Sequence, residues 1–104
     1  MILEVNAEEI RDIAAAINTA RKREPGLQIL ADIEHLVLAA IRARQSSLEL
    51  ETEQAQALRN VLMMRAHDQR NTTEGADYAD LAERISRDLD TEAPEIEVIQ
   101  NRDA

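Results

Sequence analysis

The chain reads LEVNAEEIRDI at residues 3–13 and LELETEQAQAL at residues 48–58. The two stretches share an apolar–acidic–apolar start and helically spaced apolar residues, at an offset of 45 positions. Further on, Leu30-Ala31-Asp32-Ile33 is echoed by Tyr78-Ala79-Asp80-Leu81 at an offset of 48. Such self-similarity is typical of stacked units that share one core. The sequence therefore predicts a tandem repeat with units 2–45 and 48–91, although two unrelated amphipathic hairpins would share part of this pattern.

Apolar spacing and local start and stop signals predict four helices, near residues 7–23, 27–45, 52–70 and 77–90. Asn6, with Glu9 three residues later, forms a capping box before the first helix. Pro25-Gly26 and the run 71–75 predict a turn inside each of two helical hairpins. We expect an all-α domain over residues 1–91, a small bundle of these hairpins, and an acidic C-terminal tail at residues 92–104.

Three short segments, at residues 3–5, 48–50 and 96–98, alternate apolar and acidic side chains. Alternation is a strand signal, but each segment is shorter than a typical strand. One interpretation is that they pair as a small sheet, within one chain or between two. In the other, Ser46 caps a longer third helix and Glu49 completes its capping box. The pattern slightly favours helix or irregular structure.

The core must be aliphatic, because the chain has no Phe or Trp and Tyr78 is its one aromatic residue. The helix at 27–45 carries an apolar arc so wide that we expect it to contact several helices and to form the centre of the fold. The helix at 77–90 instead carries one narrow apolar stripe, which predicts a single buried side. This stripe consists of Tyr78, Leu81, Ile85 and Leu89.

Composition excludes several classes of function. The chain has no cysteine, so it has neither disulfides nor thiolate chemistry. The net charge is −9, with −1 on residues 1–47 and −8 on residues 48–104, which disfavours nucleic acid and anionic membranes as direct partners. The longest apolar run, 36–41, is far shorter than the ~18 residues of a membrane span. With no basic leader before Glu4, we expect a soluble, cytoplasmic protein.

No residue pattern indicates catalysis. Asp32 and His35 have the spacing of a partial metal site, but they fall on the predicted solvent side of their helix. His67-Asp68 resembles half of a metal motif whose other histidines are absent, and Asp68 is predicted to lie at the surface. Glu9 and Asp12 resemble the paired carboxylates of all-α nucleotide pyrophosphatases, yet the sequence does not indicate the second, inward-facing pair that such a site needs. We therefore expect a protein that is not an enzyme, with no catalytic residue, cofactor or metal.

By elimination, the sequence predicts protein binding through an apolar helical surface, as an accessory, adaptor or regulatory protein. We expect a homodimer as well. The residues predicted to form the contact surface are Leu27, Leu36, Leu38, Met63 and Met64. Met63 and Met64 lie off the apolar stripe of their helix, so they either fill gaps in an irregular core or face a partner.

A second hypothesis is a small acidic inhibitor that binds a basic or nucleic-acid-binding protein, in its strongest form as a nucleic-acid mimic. The alternative for the same residues is a solvated face and tail. The carboxylates concerned are Asp80, Glu83, Asp88, Asp90, Glu92 and Glu95.

Overall fold

Four helices and two short strands follow one another in the order β1 (Ile2–Glu4), α1 (Ala7–Arg23), α2 (Gln28–Arg42), β2 (Ser47–Glu49), α3 (Thr52–Asp68) and α4 (Thr73–Glu92). This computed structural model describes residues 1–92, and their side chains as far as Asp90. The predicted tail, beyond its first residue, and the alternating segment 96–98 lie outside the described residues.

The predicted fold class is confirmed: α1 packs on α2 and α3 on α4, and the two hairpins form one helical bundle. The capping box of α1 is present, because the Asn6 side chain accepts a 2.7 Å hydrogen bond from the Glu9 amide and Glu9 accepts one of 3.0 Å from the Asn6 amide. At the equivalent place in α3, the Glu51 amide donates to Gln54 Oε1 at 2.9 Å. These local bonds satisfy amides that have no partner within a helix.

The segments around Leu3 and Leu48 form a two-stranded antiparallel sheet, so the preference for helix or irregular structure there was wrong. Leu3 lies opposite Leu48, and the ladder continues through a 2.9 Å bond from the Val5 amide to the Ser46 carbonyl. Each strand has three residues and is too short to form alone. The partner that satisfies its backbone comes from a distant part of the sequence, which local patterns do not reveal.

The register of this sheet pairs positions that the sequence comparison makes equivalent. At the offset of 45, Leu3 corresponds to Leu48, and these two residues also face each other. Ile2 corresponds to Ser47 and Glu4 to Glu49, so the pair Ile2–Glu49 is equivalent to the pair Glu4–Ser47. Such pairing is what a local two-fold axis between the units produces. The geometry agrees with a duplication, which itself stays a prediction.

Both hairpins contribute to a single apolar core, and α1 and α3 form its centre, not α2 as predicted. Ile13 and Ile17 of α1 and Leu58 and Leu62 of α3 are all 0% exposed. α1 and α3 each pack on three helices, whereas α2 packs on α1 and α3 and on β2. The prediction that α2 contacts more than one helix is confirmed, but Leu27 and Leu38, which extend its apolar arc, are exposed, because apolar character does not guarantee burial. The stripe predicted for the last helix is confirmed as buried.

Two helix boundaries differ from the predictions. α4 begins at Thr73, not near residue 77, because Thr72 Oγ1 accepts the Gly75 amide at 3.1 Å and caps the helix. Gly75 is therefore a buried helical residue and not part of the turn. α2 ends at Arg42, because Arg44 adopts a left-handed φ of 53° and the Gln45 amide bonds the Ala40 carbonyl at 2.9 Å. This is a Schellman-type helix end.

Candidate functional site

An apolar groove lies where the C-terminal halves of α1 and α3 meet the start of α2. Its volume is about 430 Å³. Small and aliphatic side chains form most of the lining, including Ala16, Ala20, Leu30, Ala57 and Val61. Leu27 and Met64 also line it, and they are 46% and 61% exposed. Because the alanine side chains are small, they leave an open space between the helices, and Leu27 and Met64 lie at the border of this space.

Four charged residues line the groove, two basic and two acidic: Arg23, Glu24, Arg65 and Asp68. Arg23 Nη2 lies 3.0 Å from Asp68 Oδ2, and this ion pair joins the C-terminal ends of α1 and α3. The guanidinium of Arg65 lies 5.8 Å from the centre of the Tyr78 ring, within the range of a cation–π contact. The groove therefore presents apolar surface with no net formal charge.

Only some of the predicted contact residues lie at the groove. Leu27 and Met64 come together at the groove, although they lie on different hairpins. Met63 is 55% exposed but does not line the groove. The alternative in which Met63 and Met64 fill gaps in the core is wrong, because both side chains are mostly in solvent.

The two remaining predicted contact residues lie on α2. Leu38 is 45% exposed and follows Leu27 by three helical turns, so the two share one side of α2 roughly 16 Å apart. Leu36 is half-buried and packs against the core, bordering a shallow cavity beside β2. Of the five predicted contact residues, Leu27 and Met64 therefore lie at the groove, Leu38 and Met63 are exposed elsewhere, and Leu36 lies at the edge of the core.

A second concave site is an acidic cleft of about 210 Å³ between α1 and α4. Its carboxylates come from i, i+3 and i, i+4 positions on the two helices: Glu8, Glu9 and Asp12 on α1, and Asp77 and Asp80 on α4. The sequence did not indicate an acidic pair opposite Glu9 and Asp12, and the structure places Asp77 and Asp80 there. Both side chains are exposed, so they are not the inward-facing pair that a pyrophosphatase-like site needs. The spacing of Asp77 and Asp80 was the available signal, but only the packing of α4 on α1 brings the two pairs together.

Asp12 and Glu9 are the half-buried carboxylates of this cleft. Partial burial raises the pKa of Asp12 above its ordinary value, and the neighbouring carboxylates of Asp77, Glu8, Glu74 and Glu9 raise it further. Both causes act in one direction because each disfavours the ionised form. The cleft therefore concentrates negative charge on one side of the bundle.

Arg84 compensates part of this charge. Its Nη2 lies 2.8 Å from Glu9 Oε2, and its Nε lies 3.8 Å from Asp80 Oδ2. Among the described residues, no group of three or more His, Cys, Asp or Glu side chains is arranged to hold a metal ion. The arrangement is that of an acidic surface with one internal counter-ion, Arg84.

The acidic residues predicted for the inhibitor hypothesis are distributed along α4. Asp80 lines the acidic cleft, Glu83 and Asp90 are exposed, and Asp88 is half-buried. The side chain of Glu92 and the whole of Glu95 lie outside the described part of the chain. His35 and Asp68 are exposed, as predicted, and His67 is exposed as well.

No family model, curated protein or solved structure matches this chain. Over residues 1–92, no helix is both long enough and apolar enough to cross a bilayer.

Proposed function

We propose that the protein is a non-enzymatic protein-binding module, and that its partner presents the apolar face of an amphipathic helix to the groove. The observation that supports this proposal is the meeting of Leu27 and Met64, two exposed apolar residues from different hairpins, at one apolar groove. Large exposed apolar side chains grouped around a concavity are typical of interaction sites.

The chemistry of the groove favours an apolar helix over a charged ligand. Two arginines and two carboxylates line the groove, so their formal charges cancel and a partner gains little by presenting one sign of charge. Helices that bind in grooves do so through apolar residues spaced at i, i+3 or i+4, and i+7. The flexible thioether of Met64 adapts to side chains of different shape.

Self-association is part of this proposal. The exposed ridge of Leu27 and Leu38 on α2 offers apolar area that a second copy would cover. We expect a dimer by light scattering at micromolar concentration, and Leu38→Glu is expected to shift it toward monomer. A monomeric wild-type protein under these conditions would contradict the homodimer. Binding to other proteins would then be tested by the affinity capture described next.

Met63 and Met64 provide a matched pair of variants for testing the groove. Both are exposed neighbours on α3, but only Met64 lines the groove. Affinity capture with the wild-type protein, Met64→Glu and Met63→Glu is expected to recover a partner with the first and third baits only. Because the contact is apolar, recovery should persist at high salt. Equal recovery with Met64→Glu, or recovery at low salt alone, would refute the groove as the binding site.

The acidic cleft supports a second candidate function, an acidic inhibitor of a basic or nucleic-acid-binding protein. The supporting observation is that Glu8, Glu9 and Asp12 of α1 meet Asp77 and Asp80 of α4 in one cleft. A partner recognised by these charges would bind more weakly as salt increases, and Asp77→Asn with Asp80→Asn would weaken it further. Capture that is insensitive to salt and to these substitutions would eliminate this candidate. For either function we propose a cytoplasmic location, in keeping with a chain that has no cysteine.

A further inference from the structure

The two arginines that line the groove differ in their partners within the chain. Arg23 is paired with Asp68, as described above. Arg65 forms no ion pair with any carboxylate in the part of the chain that the structure describes, and it contacts the ring of Tyr78 instead. The groove therefore contains one cation whose charge is not compensated by a neighbouring acid.

Burial makes this cation unfavourable without a partner. Arg65 is half-buried, and its Nε atom is out of contact with solvent and has no hydrogen-bond partner among the described residues. Arg84 provides the contrast, because carboxylate oxygens of Glu9 and Asp80 lie 2.8 and 3.8 Å from its guanidinium nitrogens. A buried donor that loses its hydration and gains no acceptor destabilises the structure that contains it.

Glu24, the other groove residue without an ion pair within residues 1–90, is solvated differently. It lies at the end of α1 and is exposed, so water already hydrates its carboxylate. A cation brought to Glu24 would replace this water and gain little. A carboxylate brought to Arg65 would meet a cation that folding has already removed from much of its water. The difference in hydration therefore favours an acid in the partner, opposite Arg65.

We propose that the helix bound in the groove carries an acidic side chain whose carboxylate accepts hydrogen bonds from the guanidinium of Arg65. This inference rests on the proposed function, in which the groove binds an amphipathic helix. Guanidinium and carboxylate groups pair through two parallel hydrogen bonds, and the contact with Tyr78 orients the guanidinium before the partner arrives. Because the formal charges of the groove cancel, this pair selects the partner by the position of one acid and not by its total charge.

The surroundings of Arg65 indicate where this acid lies on the partner helix. Val61 precedes Arg65 by one turn of α3, so both lie on the same face, and the aliphatic side chains of Ala20 and Leu30 line the same groove. We therefore expect the acid within the apolar stripe of the partner and not on its solvent-facing side. An ion pair enclosed in this way is screened little by salt, in keeping with capture that persists at high salt.

Synthetic helical peptides test the ion pair with the full-length protein. Three labelled peptides share leucine at i, i+4 and i+7 and differ only at i+3, on the same face, where they carry Glu, Gln or Lys. Fluorescence anisotropy measures the Kd of each. The wild-type protein is expected to bind the Glu peptide roughly tenfold more tightly than the Gln peptide, because hydrogen bonds between charged groups are stronger than neutral ones. It should bind the Lys peptide most weakly.

A double-mutant cycle with Arg65→Gln separates the ion pair from the rest of the groove. This variant is expected to bind the Glu and Gln peptides alike. Arg59→Gln is the matched control, because it removes the same charge from a half-buried position of α3 that does not line the groove, and it should keep the tenfold preference. Arg65→Lys keeps the charge without the planar fork, so its preference for the Glu peptide should be smaller than that of the wild type. It provides the second test if Arg65→Gln does not fold.

The outcomes distinguish this inference from the proposed function. Equal binding of the Glu and Gln peptides by the wild type, or a preference that Arg65→Gln and Arg65→Lys leave unchanged, would overturn the ion pair alone, because the groove would still bind the peptides. Binding to Met64→Glu as tight as to the wild type, or no binding of any peptide by the wild type, would refute the groove as a helix-binding site. The proposed function and this inference would then fail together.

Discussion

At the scale of single residues, the tightest constraint is at Gly75, where α3 turns into α4. A Cβ atom at this position would lie 2.1 Å from the Gln69 carbonyl oxygen and 2.7 Å from its carbon. Real Cβ atoms do not approach backbone atoms so closely, so the junction between the helices would have to move. Gly26, in the turn between α1 and α2, has nothing within 4 Å of the same position.

We therefore expect Gly75→Ala to lower the free energy of unfolding by roughly 1–3 kcal/mol through overpacking. The matched variant Gly26→Ala should change it little, or raise it by up to about 1 kcal/mol, because alanine restricts the unfolded chain. Urea unfolding followed by circular dichroism measures both. Equal effects of the two variants would show that the close approach at Gly75 is not a constraint.

Asp12 sets a pH dependence of stability. Its folded pKa is raised above the ordinary 3.8, so its ionised form is less favourable in the folded chain than in the unfolded chain. The folded state therefore loses stability as pH rises from about 3.8 through the folded pKa, and the loss persists at neutral pH. Asp12→Asn should be more stable than wild type at pH 7, and this gain should shrink toward pH 3.

Urea unfolding at several pH values measures the effect of Asp12→Asn. Asp32→Asn is the control, because Asp32 is exposed on α2 and does not line the acidic cleft. A gain that is the same at pH 3 and pH 7 would contradict the role assigned to the charge of Asp12.

At the scale of elements, the end of α2 contains a left-handed residue that is not glycine. Arg44 has a φ of 53°, and its amide bonds the Ile41 carbonyl at 3.1 Å while the Gln45 amide bonds the Ala40 carbonyl at 2.9 Å. A side chain makes this conformation costly, and glycine is the residue that helix ends usually place there. The cost is tolerated because this turn directs the chain from α2 into β2.

Arg44→Gly is expected to raise the free energy of unfolding by about 1 kcal/mol. Ala43→Gly, one residue earlier and with a right-handed φ of −86°, should lower it instead. The difference between these two neighbouring variants in urea unfolding isolates the contribution of the backbone conformation. If both variants lower the stability, the left-handed turn at Arg44 is not under strain.

At the scale of the whole molecule, the hairpins share one core and should unfold together. Ile13 on α1 is 0% exposed, and Tyr78, the sole aromatic residue, is buried on α4 in the other hairpin. Tyrosine fluorescence therefore reports on one hairpin, whereas circular dichroism reports on all four helices.

Ile13→Ala is expected to lower the free energy of unfolding by about 2–5 kcal/mol. It should shift the Tyr78 fluorescence and circular dichroism transitions by the same amount, as a two-state domain requires. An unchanged Tyr78 transition would mean that the hairpins unfold independently. Asn18→Ala, on the exposed side of α1, controls for a change confined to that helix.

Local signals in the sequence predicted most of the fold. The apolar spacing from Ile10 to Ile17 and the capping box at Asn6 predicted α1 with its observed bounds. Gly75 was misinterpreted, because a glycine needed for close packing has the same sequence signal as a glycine in a turn. The exposure of Met63 and Met64 was left open, because an amphipathic pattern does not specify which neighbour covers a helix.

Local sequence signals were enough to predict four helices, two hairpins and an aliphatic core, because helical propensity, capping and apolar spacing act within a few residues of each position. They did not reveal that Leu3 pairs with Leu48, that α1 and α3 form the centre, or that Leu27 meets Met64 at one groove. The same is true of the carboxylates that α1 and α4 bring together around Asp12. These features depend on contacts between residues far apart in the sequence, and such contacts exist only once the helices have packed.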